Sequence, residues 1–204
     1  MAGSARETAQ NRFLSEPIAH FFWKDFCLNI RDAVPEDAAA IARVHLASWK
    51  TTYPGIIAQE YIDGLRVEDG AARWVTRLTE KKAIILVAEN ESEDQAGVFG
   101  FAAGGSIVHP VDGYEGELAA IYMLASHQRK GTGAALVRQM ASELRRQGFR
   151  NMVVWVLREN PACGFYQRMG GVQVAEQPIE IGGKVLPEIA FGWPDIGVLC
   201  ATEE

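Results

Sequence analysis

"IYMLASHQRKGTGAALVRQM", Ile121 to Met140, holds two glycines where a helix should begin. Glycine is the poorest helix former after proline, so Gly131 and Gly133 need a reason. Either this is an ordinary turn with solvated charges, or an anion lies against the bare backbone. A dinucleotide loop needs a third glycine where this chain has Leu136. A Walker loop needs lysine after its second glycine, and here Lys130 precedes Gly131. What remains is a basic turn entering a helix N-terminus. The free N–H groups and positive dipole of such an end suit a pyrophosphate, and Arg129 and Lys130 add charge.

The flanking chain alternates strands and helices. Upstream, "EGELAAIYML" (Glu115 to Leu124) reads as a strand. "KAIILVAEN" (Lys82 to Asn90) and "AGVFGFAAGGSIV" (Ala96 to Val108) read as a hairpin, joined by the polar connector "ESEDQ". Earlier still, "CLNIRDA" alternates like a strand. Pro35, Glu36 and Asp37 then mark a helix start, with Ile41, His45 and Trp49 on one helical face. Tyr53-Pro54-Gly55 breaks that pattern, and short helices are expected over Gln59 to Leu65 and Ala71 to Thr79. Downstream, Leu136, Val137, Met140 and Leu144 form an apolar helical face that Gly148 closes. "NMVVWVL" (Asn151 to Leu157) is apolar throughout, as suits a strand buried on both faces in parallel pairing. A short helix, Pro161 to Met169, and a last hairpin about Gly182-Gly183 complete the chain. The pattern defines one α/β domain over residues 28–204. Residues 1–27 form an arm whose aromatic run, Ile18 to Phe26, packs on the domain or on a second subunit, so a homodimer is the oligomer it would serve.

Composition narrows the class. Hydrophobic residues make up 48% and charged residues 23% of 204, the balance of a globular protein that is neither disordered nor membrane-spanning. No apolar run approaches the roughly 20 residues of a membrane span, and no signal-peptide core precedes residue 20. Three scattered cysteines suggest reduced thiols and a cytoplasmic setting, and offer no metal spacing. A net charge of −6 argues against nucleic acid as a partner and favours cationic small molecules.

Two motifs at matching order then carry a resemblance. Gln128, Gly131 and Gly133 fill the fixed positions of a pattern that resembles the acetyl-CoA-binding motif of the GNAT superfamily of N-acetyltransferases. "ENPACGFYQRMGG" resembles that family's second signature. "IRDAVPEDAAAIARVHLASWKTTYPGI" is similar to its first strand and helix, and "EIAFGWPD" to its closing strand. The resemblance spans Asn29 to Asp195. It implies a GNAT fold: a central mixed, mostly antiparallel sheet, flanked by helices, with a splayed parallel strand pair.

It also implies a chemistry. Acetyl-CoA would be the cosubstrate, its arm in the splay and bonded to backbone of Ile121 and Met123, exposed by a bulge near Tyr122-Met123. Gln128, Arg129, Lys130, Gly131, Thr132, Gly133 and Ala134 would hold the pyrophosphate. A small-molecule or peptide amine would attack the thioester directly in a ternary complex. Tyr166 matches the family's acid for the departing thiolate, and a phenol with a pKa of about 10 keeps its proton at neutral pH. Its alternative is a core tyrosine. Glu117 is the candidate base, directly or through water. Its alternative is an edge carboxylate. Asn160 is both a candidate N-cap before Pro161 and a candidate cofactor contact. Trp49, Tyr53 and Tyr122 are candidates for the acceptor wall. His45 reads as a core histidine, His127 as solvated, and His109 as having no partner. A non-catalytic acyl-CoA sensor on the same fold is the competing reading.

Overall fold

The computed structural model describes residues 22–23, 26–90 and 97–200. Of the expected arm, residues 1–21 and 24–25 lie outside the described residues, as does the connector Glu91 to Gln95. The described chain begins with β1 (Phe22–Trp23) and β2 (Phe26–Asp32). Pro35–Asp37 forms a 3-10 turn that feeds α1 (Ala38–Thr52), followed by α2 (Gln59–Gly64) and α3 (Val67–Glu80). Then come β3 (Ile84–Asn90), β4 (Gly97–Ser106), β5 (Gly116–Met123) and α4 (Thr132–Arg146). The chain continues through β6 (Met152–Leu157), α5 (Cys163–Arg168), β7 (Val172–Ile181) and β8 (Lys184–Trp193). A short α6 (Gly197–Cys200), which the sequence did not announce, packs on α4.

Among the described residues the strands form one sheet of eight, in the order β1-β2-β3-β4-β5-β6-β8-β7. Every pairing is antiparallel except β5 with β6. Helices flank the sheet on both sides, as such a mixed sheet requires to bury its faces. On one face Leu136, Val137, Met140 and Leu144 of α4, all 0% exposed, pack on Leu118, Met152 and Phe191. On the other, α1 and α3 lie over β3 to β5, with Ile41, Trp74, Val87 and Phe101 at the centre. A third cluster ties Tyr53, Ile57 and Ile62 to Leu157 and Leu186.

The turns follow backbone demand. Gly182 (φ 60°) and Gly183 (φ 75°) both lie in the left-handed region, which a two-residue hairpin turn of this twist requires.

The parallel pair is short. Only Gly116 opposite Met152 and Glu117 opposite Val153 are in register. Beyond them β5 continues to Met123 and β6 to Leu157 without pairing, so the strands splay. The cause is local. Ala103 pairs Ala120 and Gly104 pairs Leu118, so Ala119 is an extra residue on β5. A bulge of this kind bends its strand and increases its twist, and this one sits where pairing to β6 stops. The bulge expected near Tyr122-Met123 is therefore at Ala119, earlier in the strand.

Candidate active site

The bulge decides which backbone groups face the splay. The Leu124 N–H donates to the Phe99 carbonyl at 2.9 Å. In the register Gly100↔Met123, Phe101↔Tyr122, Ala102↔Ile121, Tyr122 then bonds β4, while the backbone groups of Ile121 and Met123 turn toward β6. On the other side of the bulge the Ile107 N–H donates to the Glu115 carbonyl at 2.7 Å. There Gly116 and Leu118 face β6 instead. The Met123 carbonyl accepts from Ser48 Oγ at 3.0 Å and Gln128 Nε2 at 3.3 Å. On its β6 side Ile121 has no paired residue.

Past Met123, Ala125–His127 makes a 3-10 turn and the chain enters α4 through two left-handed residues, Arg129 (φ 60°) and Gly131 (φ 85°). Gly131 is the N-cap, and no side chain caps the helix. The first intrahelical bond at this end runs from the Ala135 N–H to the Gly131 carbonyl, 3.0 Å. The amides of Thr132, Gly133 and Ala134 therefore stand at the open positive end of a 15-residue helix. Gly131 is demanded by its φ. A Cβ on Gly133 would only touch Met123 and Phe165, at 3.4 and 3.5 Å. His127 does more than point at solvent: its ring stacks on Phe99 at 4.1 Å, and burial, with Lys130 nearby, lowers its pKa.

On the far side of the splay, Asn160 Oδ1 accepts from the Ala162 N–H at 2.9 Å, closing the turn before α5. Its Nδ2 donates to the Tyr53 hydroxyl at 3.3 Å. The amide of Asn160 thus links α5's approach to the end of α1. Tyr166 is 5% exposed, with its ring against Phe165, Phe191 and Trp193. Its pKa is raised by burial, by Tyr122 and by Cys163. That of Tyr53 is raised by burial and by Tyr122, with which it hydrogen-bonds, and Tyr166 adds to it. The hydroxyls of Tyr53, Tyr122 and Tyr166 therefore converge, and those of Tyr53 and Tyr166 keep their protons at neutral pH. Tyr166 lies on the α4 side of the sheet and Tyr53 and Tyr122 on the other. They meet through the gap between β5 and β6.

Trp49 lies one helical turn before Tyr53, with ring centroids 5.0 Å apart, and also faces Tyr61 at 6.3 Å. Its indole N–H is sealed from solvent and unbonded. His45 joins the same wall, 4.6 Å from Tyr122. Burial, then Arg73 and Arg77, push its pKa down to about 4.

Glu117 is 4% exposed. Its Oε2 accepts from the Val108 N–H at 2.7 Å and the His109 N–H at 3.2 Å, and its Oε1 lies 3.4 Å from His109 Nδ1. The His109 carbonyl in turn accepts from Trp155 Nε1 at 3.3 Å. His109 is thus partnered, contrary to the sequence reading, because the loop before β5 folds back over that strand. Two residues the motifs did not flag lie on the same face, Trp155 on β6 and Glu188 on β8. A carboxylate in the middle of an apolar strand, "VLPEIAFGW", was the available signal for Glu188.

Among the described residues no three His, Cys, Asp or Glu side chains are grouped to hold a metal ion, and no helix is long and apolar enough to cross a membrane.

Residues 102–178, which include the splay, the glycine turn and α5, match the family described as FR47-like protein. The chain is 41% identical over 172 residues to the uncharacterized N-acetyltransferase YuaI of Bacillus subtilis (strain 168), covering 84% of this chain and 96% of that one. It is 24% identical to the spermidine N(1)-acetyltransferase of Thermoplasma acidophilum, covering 70% of this chain and 87% of that one. Its fold is similar to that of yncA, a putative acetyltransferase from Salmonella typhimurium solved with acetyl-CoA, at TM-score 0.60 and 23% identity, covering 81% and 92% of the two chains. The chain belongs to the GNAT superfamily of N-acetyltransferases.

Proposed function

We propose that this chain transfers an acetyl group from acetyl-CoA to an amine by direct attack in a ternary complex. One observation carries the reading: buried, protonated phenols meet at a gap in the sheet whose one wall offers unpaired backbone. Ile121 and the Met123 N–H are free to bond an extended acyl arm as a strand would. The amides at the start of α4, with Arg129, Lys130 and Gln128 beside them, suit the pyrophosphate. When bound, the cosubstrate supplies a thioester carbon open to attack and a thiol as leaving group.

The chain's own residues then handle protons and orientation. Tyr166 donates its phenolic proton to the departing sulfur, and burial keeps that proton in place until it is needed. Asn160 donates to Tyr53 and Tyr53 to Tyr122, which directs the Tyr122 proton onward toward the reacting carbonyl, where negative charge develops. Glu117 accepts a proton from the acceptor ammonium, through water, which frees the amine lone pair for attack on the thioester carbon, while its loop partners hold it in position. Trp49 and Tyr53 wall the acceptor.

The test is Tyr166→Phe, assayed by thiol release over a panel of amines, with acetyl-CoA affinity from calorimetry. The rate falls by about 10²- to 10⁴-fold and affinity is unchanged. An unchanged rate removes Tyr166 from the acid role. Binding of acetyl-CoA with no thiol release from any amine by the native protein means a sensor instead.

A further inference from the structure

We propose that the acceptor is a dication, a diamine or polyamine whose second ammonium group is held by Glu188. This rests on the acetyl-transfer reading above and names its substrate class. Alternation fixes the face. Met152, Val154, Val156, Ile189 and Phe191 point into the α4 core, so Trp155 and Glu188 point to the opposite face, with Glu117. Beyond β5 that face carries no long helix among the described residues. It is bordered at one end by the loop before β5, where Tyr114 lies against Gly192 and His109 against Glu117. At the other end, Tyr53, Ile57 and Ile62 close over Leu157 and Leu186. Trp155 and Glu188 lie between the two.

Glu188 is 7% exposed. Its Oε1 accepts from Gln177 Nε2 at 2.7 Å, and its other oxygen accepts no hydrogen bond from a described residue yet is not sealed off. Among the described residues it has no ion pair. The nearby cations are engaged elsewhere: Arg158 pairs with Glu176, and Lys184 Nζ donates to the Ile56 carbonyl. A carboxylate taken out of water without a cation is unfavourable. It is retained where the cation arrives with a ligand. Trp155 lies beside it: its N–H is fixed by His109, and an indole ring face attracts ammonium groups.

The spacing suits two charges. Glu117 is in register with Val153 and Glu188 with Leu157. Four residues along β6 and two strand spacings across place the two backbones roughly 16 Å apart. Side chains reaching inward shorten the gap to the span of an aliphatic diamine or triamine. Leu157 borders the splay, so Glu188 is one strand, about 4.8 Å, from β6.

The test compares native protein with Glu188→Gln on 1,4-diaminobutane and spermidine, against 1-aminobutane, which matches the diamine in carbon number but lacks the second charge. Native protein favours the dications. Glu188→Gln raises KM for them about tenfold or more, changes kcat less than about twofold, and leaves the monoamine unaffected. Glu188→Asp, which keeps the charge, recovers part of the loss and shows that the fold tolerates change at this position. Calorimetry of spermidine with CoA-saturated protein gives the same ranking without turnover. If native protein uses 1-aminobutane as well as the dications, or Glu188→Gln weakens all three alike, the proposal is overturned. Spermidine binding that depends on Glu188, with no acetyl transfer to any amine, keeps the dication site and removes the acetyl-transfer reading.

Discussion

Lowering the pH from 7.5 to 5.0 should cost this protein stability through one imidazole. His45 is held at a pKa of about 4 by burial first, then by Arg73 and Arg77, against about 6.5 in an unfolded chain. Below 6.5 the unfolded chain binds a proton that the folded one refuses. Stability is therefore full above the unfolded value and falls as pH drops toward 4. Comparing proton binding by the two states at pH 5.0 gives a loss of about 2 kcal/mol from His45. For a chain of this size that lowers Tm by about 4–8 °C. Other groups titrate over the same range, so the measurement is a difference. Tm is followed against pH for native protein and His45→Phe, which keeps a ring against Trp49, Phe101 and Tyr122. The native curve should drop away from the variant's between pH 6.5 and 5.0. Parallel curves over that interval would refute the claim that His45 is buried neutral. Because His45 packs on Tyr122, acid should also disturb that ring contact.

A methyl group at Gly104 would meet the Glu117 carbonyl at 2.6 Å and Met140 Sδ at 2.8 Å. Gly104→Ala is expected to cost about 1–3 kcal/mol in a urea titration, and an unchanged midpoint would mean that β4 and β5 have slack at the bulge. Glu117→Gln keeps an oxygen to accept from the Val108 and His109 amides but removes the proposed base. Thiol release should fall by about 10²- to 10⁴-fold with the urea midpoint little moved, and an unchanged rate would leave Glu117 as an anchor for its loop.

Much of the fold was legible because its signals are local. Pro35 with Glu36 and Asp37, the apolar stripe after Gly133 and the Gly182-Gly183 pair each specify a neighbouring backbone without help from afar. Tyr53, Tyr122 and Tyr166 could be listed from motifs and aromatic content, but their convergence through the sheet could not. It depends on a strand pair that stops pairing after Glu117. Nothing in "GELAAIYM" marks Ala119 as the extra residue, because a bulge is a mismatch between two strands and belongs to neither sequence alone. His109 was misread for a related reason. Its partners come from β5 and β6, and only the folded loop brings them together. Asn160 was expected to close a turn, which it does, but the other end of its amide goes to Tyr53, 107 residues away.

Ala119 works as a phase shift in β5. Before it, even-numbered residues turn their backbone toward β6; after it, odd-numbered ones do. Deleting that one residue would leave Leu118 and Ala120 as neighbours in plain alternation, so Ile121, Tyr122 and Met123 would keep their faces while β5 lost the bend that ends its pairing with β6. Tyr122 would stay on the α1 side and Ile121 in the α4 core. The opening between the strands is thus set by one unpaired residue, while the sidedness of the core is set by the alternation around it. The first can therefore be altered while the second is kept, by removing Ala119 alone, whereas loss of any paired residue of β5 would disturb both.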